Sequence, residues 1–224
     1  MLDVGTGTGT VAALALARGA VVTAVDAEHS MVEAARRDVP GADVRHGVLP
    51  DLPVDDHSFD VTVANFVINH VGDPAAATSE LRRITRPGGR IAVSIWPTPP
   101  PPLQQLWAAI ASACNLRRPD SAPMVTKELN FTRDQDGLAT LLRTAGLAEV
   151  SVHTITWTHR ADPEDWWAGP ANGIGVLGAM LTGVNAAKIA EVKAHYDRIA
   201  AALLDENGRL ALPTAAVIAA GRVL

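Results

Sequence analysis

Short apolar runs alternate with helix-like stretches through the first hundred residues. Leu2–Val4 is apolar and stops at a glycine cluster. Val11–Arg18 is rich in Ala and Leu and predicts a helix, and the β-branched run Val21–Val25 predicts a strand ending at Asp26. Ser30–Asp38 reads as a helix, with Ser30 and Glu33 in capping-box spacing. Strands follow at Asp43–His46 and Phe59–Ala64, then a helix over Pro74–Thr85 with Asp73 as its N-cap. Pro87-Gly88-Gly89 predicts a turn into a fifth strand, Arg90–Trp96. Elements of this length in this order predict an α/β fold, a mostly parallel sheet with helices on both faces.

The pattern changes at Pro97. Residues 97–102 (PTPPPP) form a stiff, extended spacer. Beyond it the pattern predicts a helix over Leu103–Leu116, an irregular polar segment, and a helix over Gln135–Ala145 closed by Gly146. Val150–Thr158 alternates as a strand, and Leu210–Val223 predicts a seventh, broken near Pro213. Between these two, Trp166-Trp167 and the glycine-rich Ile174–Val184 read as staples on the sheet or as the wall and lid of an acceptor site. The expected organisation is one domain. Residues 1–96 form a cofactor-binding half, and residues 97–224 complete the sheet and carry inserted helical segments that cap the substrate.

Composition narrows the field. The chain has 224 residues, a net charge of −5 and 48% hydrophobic residues, the last ordinary for a globular protein. That charge, with Lys and Arg scattered, argues against nucleic acid as a partner. No apolar run spans a bilayer and no leader pattern opens the chain, so no membrane partner and a cytoplasmic location are expected. The single cysteine, Cys114, excludes an intrachain disulfide. The acidic clusters Asp55-Asp56 and Asp162, Glu164, Asp165 read as turn and cap chemistry, and no metal is expected.

The chemistry-bearing stretch is LDVGTGTGT, Leu2 to Thr10. Glycines at alternate positions let a strand turn sharply into a helix and let a ligand approach the backbone. Asp26, at the end of the next strand, is placed to accept hydrogen bonds from two ribose hydroxyls. Nucleotide oxidoreductases also use glycine loops, but their G-x-G-x-x-G needs glycine where this chain has Thr10. Asp3, before the loop, can orient it or meet a cationic amino group.

Four ordered stretches carry a family resemblance: LDVGTGTGT, VTAVDAEHSMVEAA, LPDLPVDDHSFDVTVANFVINHVGDP and ELRRITRPGGRIAVSIW. Over Met1 to about Trp96 the chain resembles the class I S-adenosylmethionine (SAM)-dependent methyltransferases, in the small-molecule branch of the ubiquinone/menaquinone-biosynthesis type. The resemblance implies a Rossmann-like, seven-stranded sheet, SAM as cofactor and a small-molecule acceptor, and if the apolar Ile174–Val184 segment covers that acceptor, an apolar or aromatic molecule is expected. It also implies site residues. Asp3, Gly5, Thr6, Gly7 and Gly9 would cradle the methionine part, and Asp26 would hold the ribose. Ala27 and Met31 would lie against the adenine, with Leu49 at its edge. Asn65 and Phe66 would face the sulfonium, and His70 would border the acceptor as a candidate base.

Three features depart from the family pattern. Val48 stands where an Asp usually bonds the adenine amino group, and Asn69-His70 replaces a frequent His-His. The chain also starts inside its first strand, which predicts a frayed strand and a partly open pocket. A SAM-binding protein without catalysis is therefore the alternative reading, with a nucleotide-dependent oxidoreductase behind it. Assembly as a homodimer is left open.

Overall fold

A computed structural model describes residues 1–119, 125 and 128–224. Part of the irregular segment expected after Leu116 lies outside the described residues. The elements run β1 (Leu2–Val4), α1 (Thr10–Leu16), β2 (Thr23–Asp26), α2 (His29–Asp38), β3 (Asp43–His46), β4 (Phe59–Asn65), α3 (Pro74–Ile84) and β5 (Thr85–Ile95). They continue with α4 (Pro102–Ala113), α5 (Gln135–Thr144), β6 (Leu147–Ala161), α6 (Pro163–Ala171), α7 (Gly175–Leu181), α8 (Ala186–Ala201) and β7 (Leu210–Val223). The seven strands form one sheet in the order β3-β2-β1-β4-β5-β7-β6. Pairings from β3 to β5 are parallel, and β7 joins β5 antiparallel. This is the Rossmann-like α/β sheet expected. No described helix is long and apolar enough to cross a membrane.

The chain divides into two compact units. The first comprises Met1–Thr98, Met124–Ile155 and Ala216–Leu224, and the second Pro99–Pro123 and Thr156–Ala215. In the first unit, adjacent residues of β2 serve opposite faces, as the strand period of two requires. Val25 joins a core with Leu81 and Ile84 of α3 and Leu138 and Leu142 of α5, whereas Ala24 joins Ala12 of α1 and Val32 and Ala35 of α2. In the second unit, Leu103, Leu106 and Ile110 make a helical stripe on α4 that packs with Val192, Tyr196 and Ala200 of α8. Trp107 stacks on both Trp166 and Tyr196, at ring-centroid distances of 5.9 and 5.5 Å. The tryptophans of α6 and the buried Leu177 and Leu181 of α7 belong to this core.

Four local expectations are corrected. α2 begins at His29 with Glu28 as N-cap and no side-chain cap, and the Glu28 N–H donates to Asp26. Ser30 is therefore already helical. Pro87-Gly88-Gly89 lies inside β5, where the register with β4 shifts between Phe59 and Val61. β7 runs unbroken through Pro213, since its pairing with β5 starts later, at Val217. β1 is not frayed: it is buried and paired on both sides, with β2 and β4.

One charged cluster fixes the loop that carries Leu49. Arg83 on α3 donates to both Glu80 oxygens (2.7 Å each), to Asp56 and to the carbonyls of Leu52 and Val54. Glu80, 7% exposed, also accepts the Leu52 N–H at 2.8 Å. Burial raises the Glu80 carboxyl pKa, but Arg83 and the Leu52 amide outweigh it and hold the pKa below its usual value. Arg83→Met leaves that carboxylate buried and unpaired, so it is expected to destabilise the protein by about 3 kcal/mol in urea unfolding. Adding Glu80→Gln should recover much of the loss. A loss under about 1 kcal/mol would mean solvent already screens the pair.

Candidate active site

The strand order reverses at β1, whose neighbours are β2 on one side and β4 on the other. Helices leave such a point to opposite faces, and a crevice opens outside the carboxyl ends of the strands. The carboxyl ends of β1, β2 and β4 carry the expected residues: the loop from Gly5 to Gly9, then Asp26, then Asn65 and Phe66.

The loop is held by two carboxylates. Asp3, 1% exposed, accepts the Thr6 hydroxyl at 2.7 Å and the Ala12 N–H at 3.1 Å. Burial pushes its pKa up to about 6, against the pull of those two bonds, and the Asp26 charge adds to the rise. Asp26 accepts the Gly7 N–H at 2.8 Å on one oxygen and the Glu28 N–H at 2.9 Å on the other.

The three glycines are needed for different reasons, although all have positive φ. A Cβ on Gly5 would collide with Val67, and one on Gly9 with Val39, so both permit close packing. A Cβ on Gly7 would meet nothing within 4 Å. Packing therefore does not explain Gly7, whose φ of +56° favours glycine and beside which the space is open.

Beyond β4 the chain makes a second tight turn. Phe66 adopts φ +58°, a conformation rare outside glycine and one that concentrates at functional sites. Its N–H donates to the Ser94 carbonyl and hydroxyl oxygens, both at 3.0 Å, and the Ser94 hydroxyl donates to Asn65 Oδ1 at 2.6 Å. The Phe66 ring stacks on Trp96 at 3.8 Å. His70 is exposed at the end of this loop, and Arg133 donates to the Asn69 carbonyl (3.3 Å) beside it.

Asp3 and Thr6 are thus joined by one hydrogen bond and Asp26 and Gly7 by another, while Asn65 and Phe66 are joined through Ser94. Ala27 and Met31 follow Asp26 directly. Leu49 packs against the first unit's core, while Val48 is half exposed and bridges to Asp51. Sequence reading missed Ser94, whose role depends on strand register, and Trp96 and Arg133, whose contacts come from segments outside the strands. It also missed His46, which bonds the Ala27 carbonyl at 3.0 Å and stacks on His29 at 4.1 Å. The β2–β3 register, Asp26 opposite His46, was the only available signal.

Residues 2–93 match the family model described as a methyltransferase domain. The demethylmenaquinone methyltransferase of Clavibacter sepedonicus is 35% identical over 70% of this chain and 68% of that protein. Its counterpart in Paenarthrobacter aurescens is 29% identical over 74% and 70%. The YcgJ protein of Bacillus subtilis shares the fold, with a TM-score of 0.56 and 20% identity over 99% of this chain and 90% of that one. So does Haemonchus contortus phosphoethanolamine N-methyltransferase 2, crystallised with S-adenosylhomocysteine, with a TM-score of 0.59 and 14% identity over 100% and 48%. With the glycine loop, Asp26 and the sheet reversal already in place, this chain belongs to the class I SAM-dependent methyltransferases of the menaquinone type, and its activity is methyl transfer from SAM to a small-molecule acceptor.

Proposed function

We propose that the acceptor is a planar hydroquinone-type molecule and that the cofactor binds along the carboxyl ends of β1, β2 and β4. The observation that carries the acceptor class is the Phe66–Trp96 stack beside Asn65, in a chain similar to demethylmenaquinone methyltransferases. A flat aromatic wall recognises a flat ring by offset stacking and apolar burial.

The residues present suit the cofactor. The space beside Gly7 is open, so a ligand can approach its backbone closely, and Asp26 keeps lone pairs for ribose hydroxyls beyond its two backbone bonds. Asp3, Gly5, Thr6, Gly7 and Gly9 would hold the methionine part, Ala27, Met31 and Leu49 would flank the adenine, and Asn65 and Phe66 would lie at the sulfonium end. SAM supplies there an electrophilic methyl group on a sulfonium that leaves as a neutral thioether. The protein's work is then alignment and exclusion of water. His70 accepts the proton of the acceptor hydroxyl, which turns the ring into a stronger nucleophile.

The test offers the purified protein and SAM a reduced naphthoquinone, a catechol and a primary amine in parallel. Release of S-adenosylhomocysteine and the product mass are read for each. The hydroquinone is expected to be favoured in kcat/KM by about tenfold or more. Preference for the amine would overturn the acceptor class. S-adenosylhomocysteine binding without turnover of any acceptor would favour a non-catalytic SAM-binding protein, the reading that Val48 supports.

A further inference from the structure

Cys114 is the only cysteine of the chain, is fully buried and caps the C-terminal end of α4. Glu191 and His195 stand one turn apart on α8, which packs on α4 within the second unit. Residues spaced i and i+4 share a helix face. The Cys114 sulfur, a carboxylate oxygen of Glu191 and a ring nitrogen of His195 all lie within 4.8 Å of one another. None of the three takes part in the methyl-transfer chemistry above.

We propose that Cys114, Glu191 and His195 form a binding site for a zinc-class divalent ion that clamps the end of α4 to α8. A thiolate with an imidazole selects a borderline-soft ion over magnesium or calcium, which take oxygen ligands. Zinc bonds of about 2.0–2.3 Å place tetrahedral ligand atoms roughly 3.3–3.8 Å apart, so the three side chains need close in by at most about 1.5 Å. That is a rotamer-scale adjustment for Glu191, which is exposed, and His195, which is half-buried. The fourth position belongs to water on the exposed Glu191 side.

Two features of the ion-free cluster set the terms of binding. Cys114 is fully buried, so its sulfur is shielded from solvent until an ion reaches it. Binding replaces the S–H bond with a sulfur–metal bond and releases the proton to solvent. Lys188 pairs with Glu191 Oε1 at 2.8 Å, so the ion takes the second carboxylate oxygen or displaces the lysine. No spacing motif announces this set, because the cysteine and the helix pair are brought together only by packing.

Co2+ titration of the metal-stripped full chain, without an affinity tag, tests the site. A thiolate-to-cobalt charge-transfer band in the near ultraviolet and intensified visible absorption are expected, saturating at one ion per chain. Because the chain has a single thiol, the charge-transfer band can arise only here, and Cys114→Ser must abolish it. His195→Gln is expected to weaken Co2+ at least about tenfold, and it serves if the serine variant fails to fold. Zn2+ should displace the cobalt and raise the melting temperature. Folded wild-type protein with no charge-transfer band at millimolar Co2+ would overturn the proposal. So would a band that His195→Gln leaves unchanged in affinity. S-adenosylhomocysteine affinity is expected to be the same in His195→Gln, so failure of the metal site and failure of the methyltransferase reading are separable.

Discussion

Replacing Asp26 with alanine is expected to weaken S-adenosylhomocysteine binding by about 100-fold or more, read by calorimetric titration. A carboxylate accepting two ribose hydroxyls makes two charge-assisted bonds, each worth roughly 1.5–3 kcal/mol when one partner is lost in a desolvated site. The same side chain also organises its surroundings, since it accepts the Gly7 and Glu28 N–H groups. Alanine therefore frees the loop as well as losing the ribose, and the melting temperature should fall by a few degrees. Gly7→Ala separates the two effects. Its Cβ meets no neighbour, so the fold should survive with only the strain of φ +56°, yet the methyl group would stand where the ligand is proposed to approach the loop and affinity should still drop. Folded Asp26→Ala with affinity within about threefold of wild type would remove the ribose role from Asp26.

The sheet was legible because its strands are short β-branched runs separated by helical stretches, a signal local to each element. The ends of β1, β2 and β4 were legible for the same reason, and with them Asp3, the glycine loop, Asp26 and Asn65. Contacts across strands were not. Ser94 reaches Asn65 and the Phe66 N–H only because β4 and β5 are in register at Asn65 and Ser94. Trp96 reads in sequence as the end of a strand, and its stacking partner Phe66 is found only through the left-handed turn there. The Ser30 capping box had the right spacing but lost to Asp26, which bonds the Glu28 amide and starts the helix earlier. Local propensity was overridden by a residue that also holds the Gly7 amide of the glycine loop.

Replacing Asp3 with asparagine is expected to make the protein more stable at pH 8 and a poorer cofactor binder. Burial raises the Asp3 pKa from the usual 3.8 to about 6. A raised carboxyl pKa means that the folded state binds the proton more tightly than the unfolded chain does. The stability from this group is fully present below about pH 4 and is lost as pH rises through about 6. Above that, holding Asp3 ionised costs about 3 kcal/mol. Asparagine keeps an oxygen for the Thr6 hydroxyl and the Ala12 amide but carries no charge to desolvate. It should recover about 1–3 kcal/mol at pH 8 in urea unfolding, with the difference vanishing near pH 4. The ionised form is retained, on this account, to meet the ammonium of the cofactor's methionine part. S-adenosylhomocysteine affinity should therefore fall in wild type as pH drops below about 6, whereas the asparagine variant should be weaker at pH 8, by about tenfold, and flat with pH. An asparagine variant that binds as tightly as wild type at pH 8 would make Asp3 a support for the loop alone. A variant less stable than wild type at that pH would show that the Thr6 and Ala12 bonds to the charged oxygen outweigh its desolvation.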